Sequence, residues 1–335
     1  MRKAFAVTAA VALLYLGGLA QADVFNLGSG LTNLETVVVG DPGNAADTRY
    51  ETPGYGAVGY TYIGKYEVTA AQYCDFLNNK AKTDTYHLYS GNMWDDPYGC
   101  KIQRNGTSGS YSYSVASDWA NRPVNYVSYW DACRFTNWLH NGQGNGDTET
   151  GAYTLDGYNG ADGRNIVRNL GARFWMPSED EWYKAAYYKG GGRNAGYWDY
   201  PTLSDSAPSN VLGNPTDPGN SATYYNNGCT IGSPYYRTEV GAHENSGSAY
   251  DTFDQGGNVW EWNETVVKYA NRGLRGGDFG DGGSSLQASG RSYLTPHYVE
   301  YYVGFRVAGV VPEPSPVIAL ACGLGSLLAF RRRRA

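Results

Sequence analysis

The chain has to fold around the run Gly256-Gly257-Asn258-Val259-Trp260-Glu261-Trp262. Two indoles flank a single carboxylate beside a glycine pair. The indoles draw this segment out of water, and a carboxylate carried in with them is expensive to bury unless something pairs with it. The run is followed by Arg275-Gly276-Gly277 and by Gly304-Phe305-Arg306-Val307-Ala308, which supply two candidate partners for Glu261, Arg275 and Arg306.

Upstream, three helix starts are legible. Thr69 with Gln72, Ser128 with Asp131, and Ser178 with Glu181 each place a hydroxyl at a cap and a side-chain acceptor three residues on. Tyr73, Phe76 and Leu77 then share one face of the first helix, and Ala132, Phe135 and Leu139 one face of the second. Asn141-Gly142 ends the second, and Gly190-Gly191-Gly192 is expected to end the third. Thr36 to Val39 and Tyr62 to Val68 read as strands. Gly/Asn/Ser/Tyr-rich stretches at 84–120, 141–170 and 190–250 read as loops, and no fixed-period repeat appears. The expected class is α+β, irregular and loop-rich.

Both ends read as addresses. Arg2 and Lys3, the apolar stretch Ala4 to Leu19 and Ala20-Gln21-Ala22 form a secretory signal at 1–22, the alternative being an uncleaved anchor helix. At the other end, residues 311–335 combine Val311-Pro312-Glu313-Pro314, a short apolar segment at 317–330 and the arginines Arg331 to Arg334. The expected folded domain is 23–310, enough for one large unit.

Setting aside Arg2, Lys3 and the four terminal arginines leaves 20 basic against 32 acidic residues, a net charge of −12. That surface disfavours nucleic acid and anionic membranes and suits cations. The 31 tyrosines, against 9 phenylalanines, give contact area with a polar tip, as sugar or peptide binding needs and as a solvated extracellular surface also shows. Cys74, Cys100, Cys133 and Cys229 are expected to be disulfide staples in an oxidising compartment, with the pairing open. His87, His140, His243 and His297 show no metal-ligand spacing.

Five blocks in order resemble the formylglycine-generating enzyme, or sulfatase-modifying factor, family. They are Tyr66-Glu67-Val68-Thr69 to Leu77; Arg122-Pro123-Val124 to Leu139; Arg173-Phe174-Trp175-Met176-Pro177-Ser178 to Trp182; the Trp-Glu-Trp run; and Arg275-Gly276-Gly277 to Arg306. The resemblance implies that family's variant of the C-type-lectin fold. The tail resembles the PEP-CTERM sorting signal of Gram-negative bacteria. That implies an exosortase-type sorting enzyme as partner, only transient contact with the inner membrane, and a final place at the cell surface or in the extracellular matrix.

The resemblance also implies calcium. Asp254, Gly257, Val259 and Glu261 could offer two carboxylates and two backbone carbonyls to one hard cation; the alternative is a Glu261 simply held by an arginine. Asn210 and Val211 match part of the family's second calcium site, whose aspartate has no clear counterpart, Asp217 lacking the expected neighbours. The true enzymes bind copper(I) through two cysteines in the block after Arg-Gly-Gly. Here that block, Gly276 to Arg291, has none, and carries Asp278 and Asp281 instead. Those carboxylates fit a solvated or cation-binding turn better than an acid–base pair. The expectation is therefore a non-catalytic, calcium-stabilised module binding polysaccharide or protein, without copper. The alternative is a formylglycine-generating-enzyme-like oxidoreductase, or another metal-dependent enzyme, with a diverged active site.

Overall fold

The computed structural model describes residues 23–24, 32–213 and 216–310. The signal segment 1–22 and the sorting tail 311–335, with its apolar stretch 317–330, lie outside the described residues. In chain order the elements are β1 (Asp23–Val24), β2 (Glu35–Val39), β3 (Thr61–Gly64), α1 (Ala70–Lys80), α2 (Asn92–Asp95), β4 (Ile102–Asn105), β5 (Ser112–Val115), α3 (Ser117–Ala120), α4 (Tyr129–His140), β6 (Phe174–Trp175), α5 (Glu179–Tyr187), β7 (Trp260–Lys268), β8 (Asn271–Arg275), β9 (Ser292–Leu294), β10 (Val303–Gly304) and β11 (Ala308–Gly309). Long irregular segments dominate, so the class is the mixed, loop-rich one expected.

The cap chemistry places α1, α4 and α5. Thr69, Ser128 and Ser178 each accept from the backbone N–H three residues on, and the side chains of Gln72, Asp131 and Glu181 reach back to the cap N–H. Each cap is worth about 1 kcal/mol. Tyr73 and Phe76 of α1 meet Phe135 and Trp138 of α4 and Phe305 from the far end of the domain, with centroids 5.3–6.4 Å apart. That aromatic knot is the centre of the core.

Helix α4 is buried on nearly every side, not only on its Ala132–Phe135–Leu139 face. The glycine-rich segment 141–170 wraps its outer face and satisfies the polar residues trapped there. Arg134 donates to Glu149 at 2.7 Å, and Asn137 donates to Thr148 O and accepts from Tyr153 N. Buried polar groups need such partners.

A five-stranded sheet runs β1-β2-β3-β11-β6, and a four-stranded sheet runs β10-β7-β8-β9. Ala308 lies opposite both Ile63 and Trp175, so the last strand of the domain is inserted between early ones. Strand β10 runs parallel to β7, pairing Val303 with Trp260 and Gly304 with Glu261.

Three expectations are corrected. The strand read at Tyr62 to Val68 ends at Gly64, where the chain bends. Helix α5 stops at Tyr187, before the glycines, because Tyr188 is extended and bridges to Tyr197. The stretch 84–120 is not all loop: it holds the β4–β5 hairpin, with Ile102 opposite Val115, and the short helices α2 and α3. Ile102–Asn105 is short and mostly polar, and although Ser112–Val115 alternates, four residues in a Gly/Ser/Tyr-rich stretch are too few to stand out.

Candidate functional site

The Trp-Glu-Trp run starts β7, and the two indoles are fixed through their N–H groups. Trp262 donates to Val127 O at 3.0 Å and Trp260 to Asp281 Oδ2 at 2.7 Å. The turn before it needs glycine at one point: Gly257 has φ +89°, and a Cβ there would lie 2.0 Å from the Thr223 carbonyl oxygen.

Glu261 is held by Arg306. The β7–β10 register brings the arginine alongside. Its Nε and Nη2 donate to Oε2 and Oε1 at 2.6 and 2.7 Å, and Trp182 Nε1 adds a third donor at 2.8 Å. Arg275, opposite Glu261 across β7–β8, instead donates to Glu179 at 2.7 Å; Arg291 joins it at 2.6 Å. Trp175, Trp182, Trp260 and Trp262 are all buried.

Two more carboxylates crowd the Glu261–Arg306 pair. Asp254 Oδ2 accepts from Gly241 N at 2.6 Å, and burial, with Glu261 near, pushes its carboxyl up to about 6. Glu67, just ahead of the α1 cap, is 1 % exposed, and neither of its oxygens has a hydrogen-bond partner. Burial and the charges of Asp254 and Glu261 push it well above the usual carboxylate range. Three acids thus share one arginine. Among the described residues no group of three or more His, Cys, Asp or Glu side chains is arranged to hold a metal ion, so a cation here would lean on backbone oxygens of the Gly257–Val259 turn. In sequence Tyr66-Glu67-Val68 reads as an ordinary strand, and the one signal at Glu67 is an acid between apolar neighbours.

Asn210 sits elsewhere in the fold. Its amide donates to the carbonyls of Tyr224, Asn226 and Gly228, and Val211 is largely exposed. Asp217 is taken by the N–H groups of Gly219 and Asn245 and the hydroxyl of Ser246.

The loop after Arg275-Gly276-Gly277 forms a separate site. Asp278 is 7 % exposed and accepts from Gly280 N at 2.6 Å; burial first, then Asp281, push it up to about 7. Between them Phe279 turns inward beneath three tyrosines, Tyr98, Tyr236 and Tyr301, at centroid distances of 5.8, 5.7 and 6.1 Å. These rings are partly open to solvent and form a shelf. Behind it Arg237 is wholly buried, donates to Tyr98 O at 2.6 Å, and leaves Nε and Nη2 without partners. Burial lowers its guanidinium to about 10.

The cysteines are not staples: Cys74, Cys100, Cys133 and Cys229 are all free. Burial pushes the thiols of Cys74 and Cys133 up to about 12. Three of the four serve the core as small apolar residues.

Residues 35–310 match the model of the sulfatase-modifying factor enzyme 1-like domain. The chain belongs to the sulfatase-modifying factor family. Among solved structures, this family member is similar to CarF, with a TM-score of 0.52 and 22% identity over 83% of this chain and 98% of that one. It is equally similar to Treponema denticola variable protein 1, with a TM-score of 0.52 and 20% identity over 85% and 98%. PvdO from Pseudomonas aeruginosa follows at 0.49 and 17%, over 87% and 99%. At such identities the likeness is one of fold. No curated protein matches the chain in a sequence search.

Proposed function

We propose that this chain is an exported binding member of the sulfatase-modifying factor family, not an oxidase. One observation carries the reading. The loop at Gly276–Arg291 offers a soft metal no thiolate; it offers the Asp278–Phe279–Asp281 turn, with Phe279 under the Tyr98–Tyr236–Tyr301 shelf and Trp260 bonded to Asp281. Copper(I) wants thiolates, and the cysteines elsewhere are mostly buried and proton-bearing. An aromatic shelf over carboxylates suits stacking on sugar rings or on a peptide. The partner is an extracellular polysaccharide or a surface protein. Sorting through the PEP-CTERM tail would bring the chain to the cell surface or matrix of a Gram-negative bacterium, after brief contact with an exosortase-type enzyme and the inner membrane.

Calcium belongs to the same reading as a stabiliser. The orphaned oxygens of Glu67, beside Asp254 and Glu261 with Arg306 alone as counter-charge, are the feature that fits a hard cation. Asp254, Glu261 and the carbonyls of Gly257 and Val259 would hold it, with Glu67 adding charge; at the second position Asn210 and Val211 would contribute.

The test is calorimetry of the full chain against the host's purified exopolysaccharide, with calcium and then with chelator. Saturable binding lost on chelation is the expected result; no binding in either condition would remove the polysaccharide reading. A second reading, a diverged enzyme, rests on Asp278, whose raised carboxyl beside Asp281 is the kind of group that exchanges protons near neutrality. Stoichiometric copper or iron in the purified chain, or formylglycine on a sulfatase-type peptide, would bring it forward.

A further inference from the structure

A cavity lies on the side of the fold where α4 begins. It encloses about 350 Å³ and is lined by Tyr86, His87, Tyr89, Trp130, Asp131 and His297, among others. Its volume is in the range of small-ligand sites, and its wall mixes aromatic faces with a few polar groups, as such sites do.

The walls come from separate segments, each fixed by its own bonds. Residues 84–90 form a tight turn in which Asp84 and His87 both take left-handed backbone, φ +55° and +59°. Asp84 holds the turn: its Oδ1 accepts from Leu88 N at 2.7 Å and its Oδ2 from Arg104 at 3.2 Å. Asp and His adopt that conformation more readily than most residues, and the bonds of Asp84 hold the turn in it. Trp130 is locked through Nε1 to Gly160 O at 2.9 Å, with Tyr158 edge-on at 5.3 Å. Asn159 ties the rim together, donating to Tyr86 O at 3.0 Å and accepting from Arg134 at 2.5 Å. Asp131 brings a carboxylate, 4 % exposed, whose Oδ2 accepts from Ser128 N and Oγ at 2.9 and 2.7 Å. His87 and His297 stand exposed at the mouth.

The chemistry of the wall selects the occupant. No lysine or arginine is among the lining residues. Arg134 and Arg104, which stand over the Tyr86 and Tyr89 rings at 4.6 and 4.7 Å, are paired with Glu149 and Asp84. The Asp131 carboxylate is thus the charge left without an ionic partner at the wall, and an acidic ligand is disfavoured. Trp130 is wholly buried and Tyr89 8 % exposed, so Tyr86 is the tyrosine left open for stacking; with the exposed imidazoles and the Asn159 amide for hydroxyl groups, that describes a neutral sugar. The position favours one unit of a polymer. His297 lines the cavity and Tyr301 belongs to the aromatic shelf, so their α-carbons are at most about 14 Å apart. The exposed rings of Tyr298 and Tyr301 lie on the segment that joins the two.

We propose that this cavity is a saccharide subsite taking a neutral pyranose of a polysaccharide whose chain continues across the Tyr98–Tyr236–Tyr301 shelf. The proposal rests on the polysaccharide-binding reading above and adds to it the subsite and the sugar class.

The experiment titrates the full chain with the methyl glycosides of glucose, galactose, mannose, N-acetylglucosamine and glucuronic acid, following the imidazole resonances by NMR. His87→Asn and His297→Asn assign the two signals; asparagine tolerates the backbone conformation of His87. The expected result is a saturable shift of both signals with a neutral glycoside and not with the glucuronide, and a roughly 10-fold loss of that affinity in Tyr86→Ala. Unmoved imidazoles, or a preference for the glucuronide, would overturn the subsite. So would Tyr86→Ala and His87→Asn variants that bind the exopolysaccharide as tightly as the parent, an outcome that leaves the polysaccharide reading standing. Glycoside binding at the histidines without exopolysaccharide binding would uphold the subsite and fail the polymer.

Discussion

Arg306 donates to both oxygens of Glu261, at 2.6 and 2.7 Å, with both side chains wholly shut off from solvent. The same guanidinium also donates to the carbonyls of Gly64 and Phe253, so one residue ties the end of the domain to β3, to the turn before the Trp-Glu-Trp run and to β7. Removing one partner of a buried pair strands the other charge, typically at a cost of about 3–5 kcal/mol. Arg306→Met should therefore lower stability by that order in urea unfolding. Arg164→Ala, at the exposed Arg164–Asp162 pair, should barely change it. Equal effects at the two sites would show that the Glu261 pair does not organise the core.

The free cysteines predict a reactivity order. Cys74, Cys100 and Cys133 are buried, and Cys229 is half-buried. Thiolate is the reacting form, so burial that raises a thiol's pKa also slows it. Brief alkylation of the folded chain, read by peptide mass spectrometry, should label Cys229 and spare the other three until denaturant is added. Protection of Cys229 together with any of the three in unreduced, denatured protein would mean that a disulfide forms after all.

Where local chemistry decides structure, the sequence was readable. Thr69, Ser128 and Ser178 marked helix starts because a cap needs only four consecutive residues. Glu261 announced a buried partner because an acid between indoles must have one, and Arg306 was one of two arginines on offer. Long-range pairing was not readable. Nothing in Glu67's neighbours shows that Asp254 and Glu261 will converge on it from almost two hundred residues away. Nor does the Asp84–Ser90 turn show in sequence that it will face α4 and enclose a cavity. Cys100 and Cys133 looked like staples by compartment, whereas their packing makes them core.

Asp278 predicts a pH effect of definite sign. Its folded carboxyl sits at about 7, against an ordinary 3.8. A raised acid means that the folded state holds the proton more tightly than the unfolded one. The penalty for ionised Asp278 is thus absent below about 4 and grows until the pH passes about 7. Asp278→Asn keeps an acceptor for Gly280 N and cannot ionise. It should leave stability nearly unchanged at pH 4 and raise it at pH 8, with a ceiling of about 4 kcal/mol. Asp281→Asn should give a smaller gain by removing the neighbouring charge. Stability curves of parent and Asp278→Asn that run parallel across this range would sink the assignment.

Calcium should act on the cluster that is short of positive charge. Glu67, Asp254 and Glu261 bring three carboxyl groups to one guanidinium, so without a cation protons must neutralise the excess. A bound calcium would displace those protons and stabilise the folded chain by about 2.7 kcal/mol at a free concentration 100 times its dissociation constant. Heating the chelated chain with increasing calcium should raise the midpoint, and calcium binding should release protons into a weakly buffered solution. Glu67→Gln separates the contributions: it removes a carboxyl that burial and its acidic neighbours already push toward the neutral form, so it should change the chelated midpoint little and weaken the calcium response. A midpoint indifferent to calcium, with no proton release, would mean that Arg306 and protons alone close this cluster.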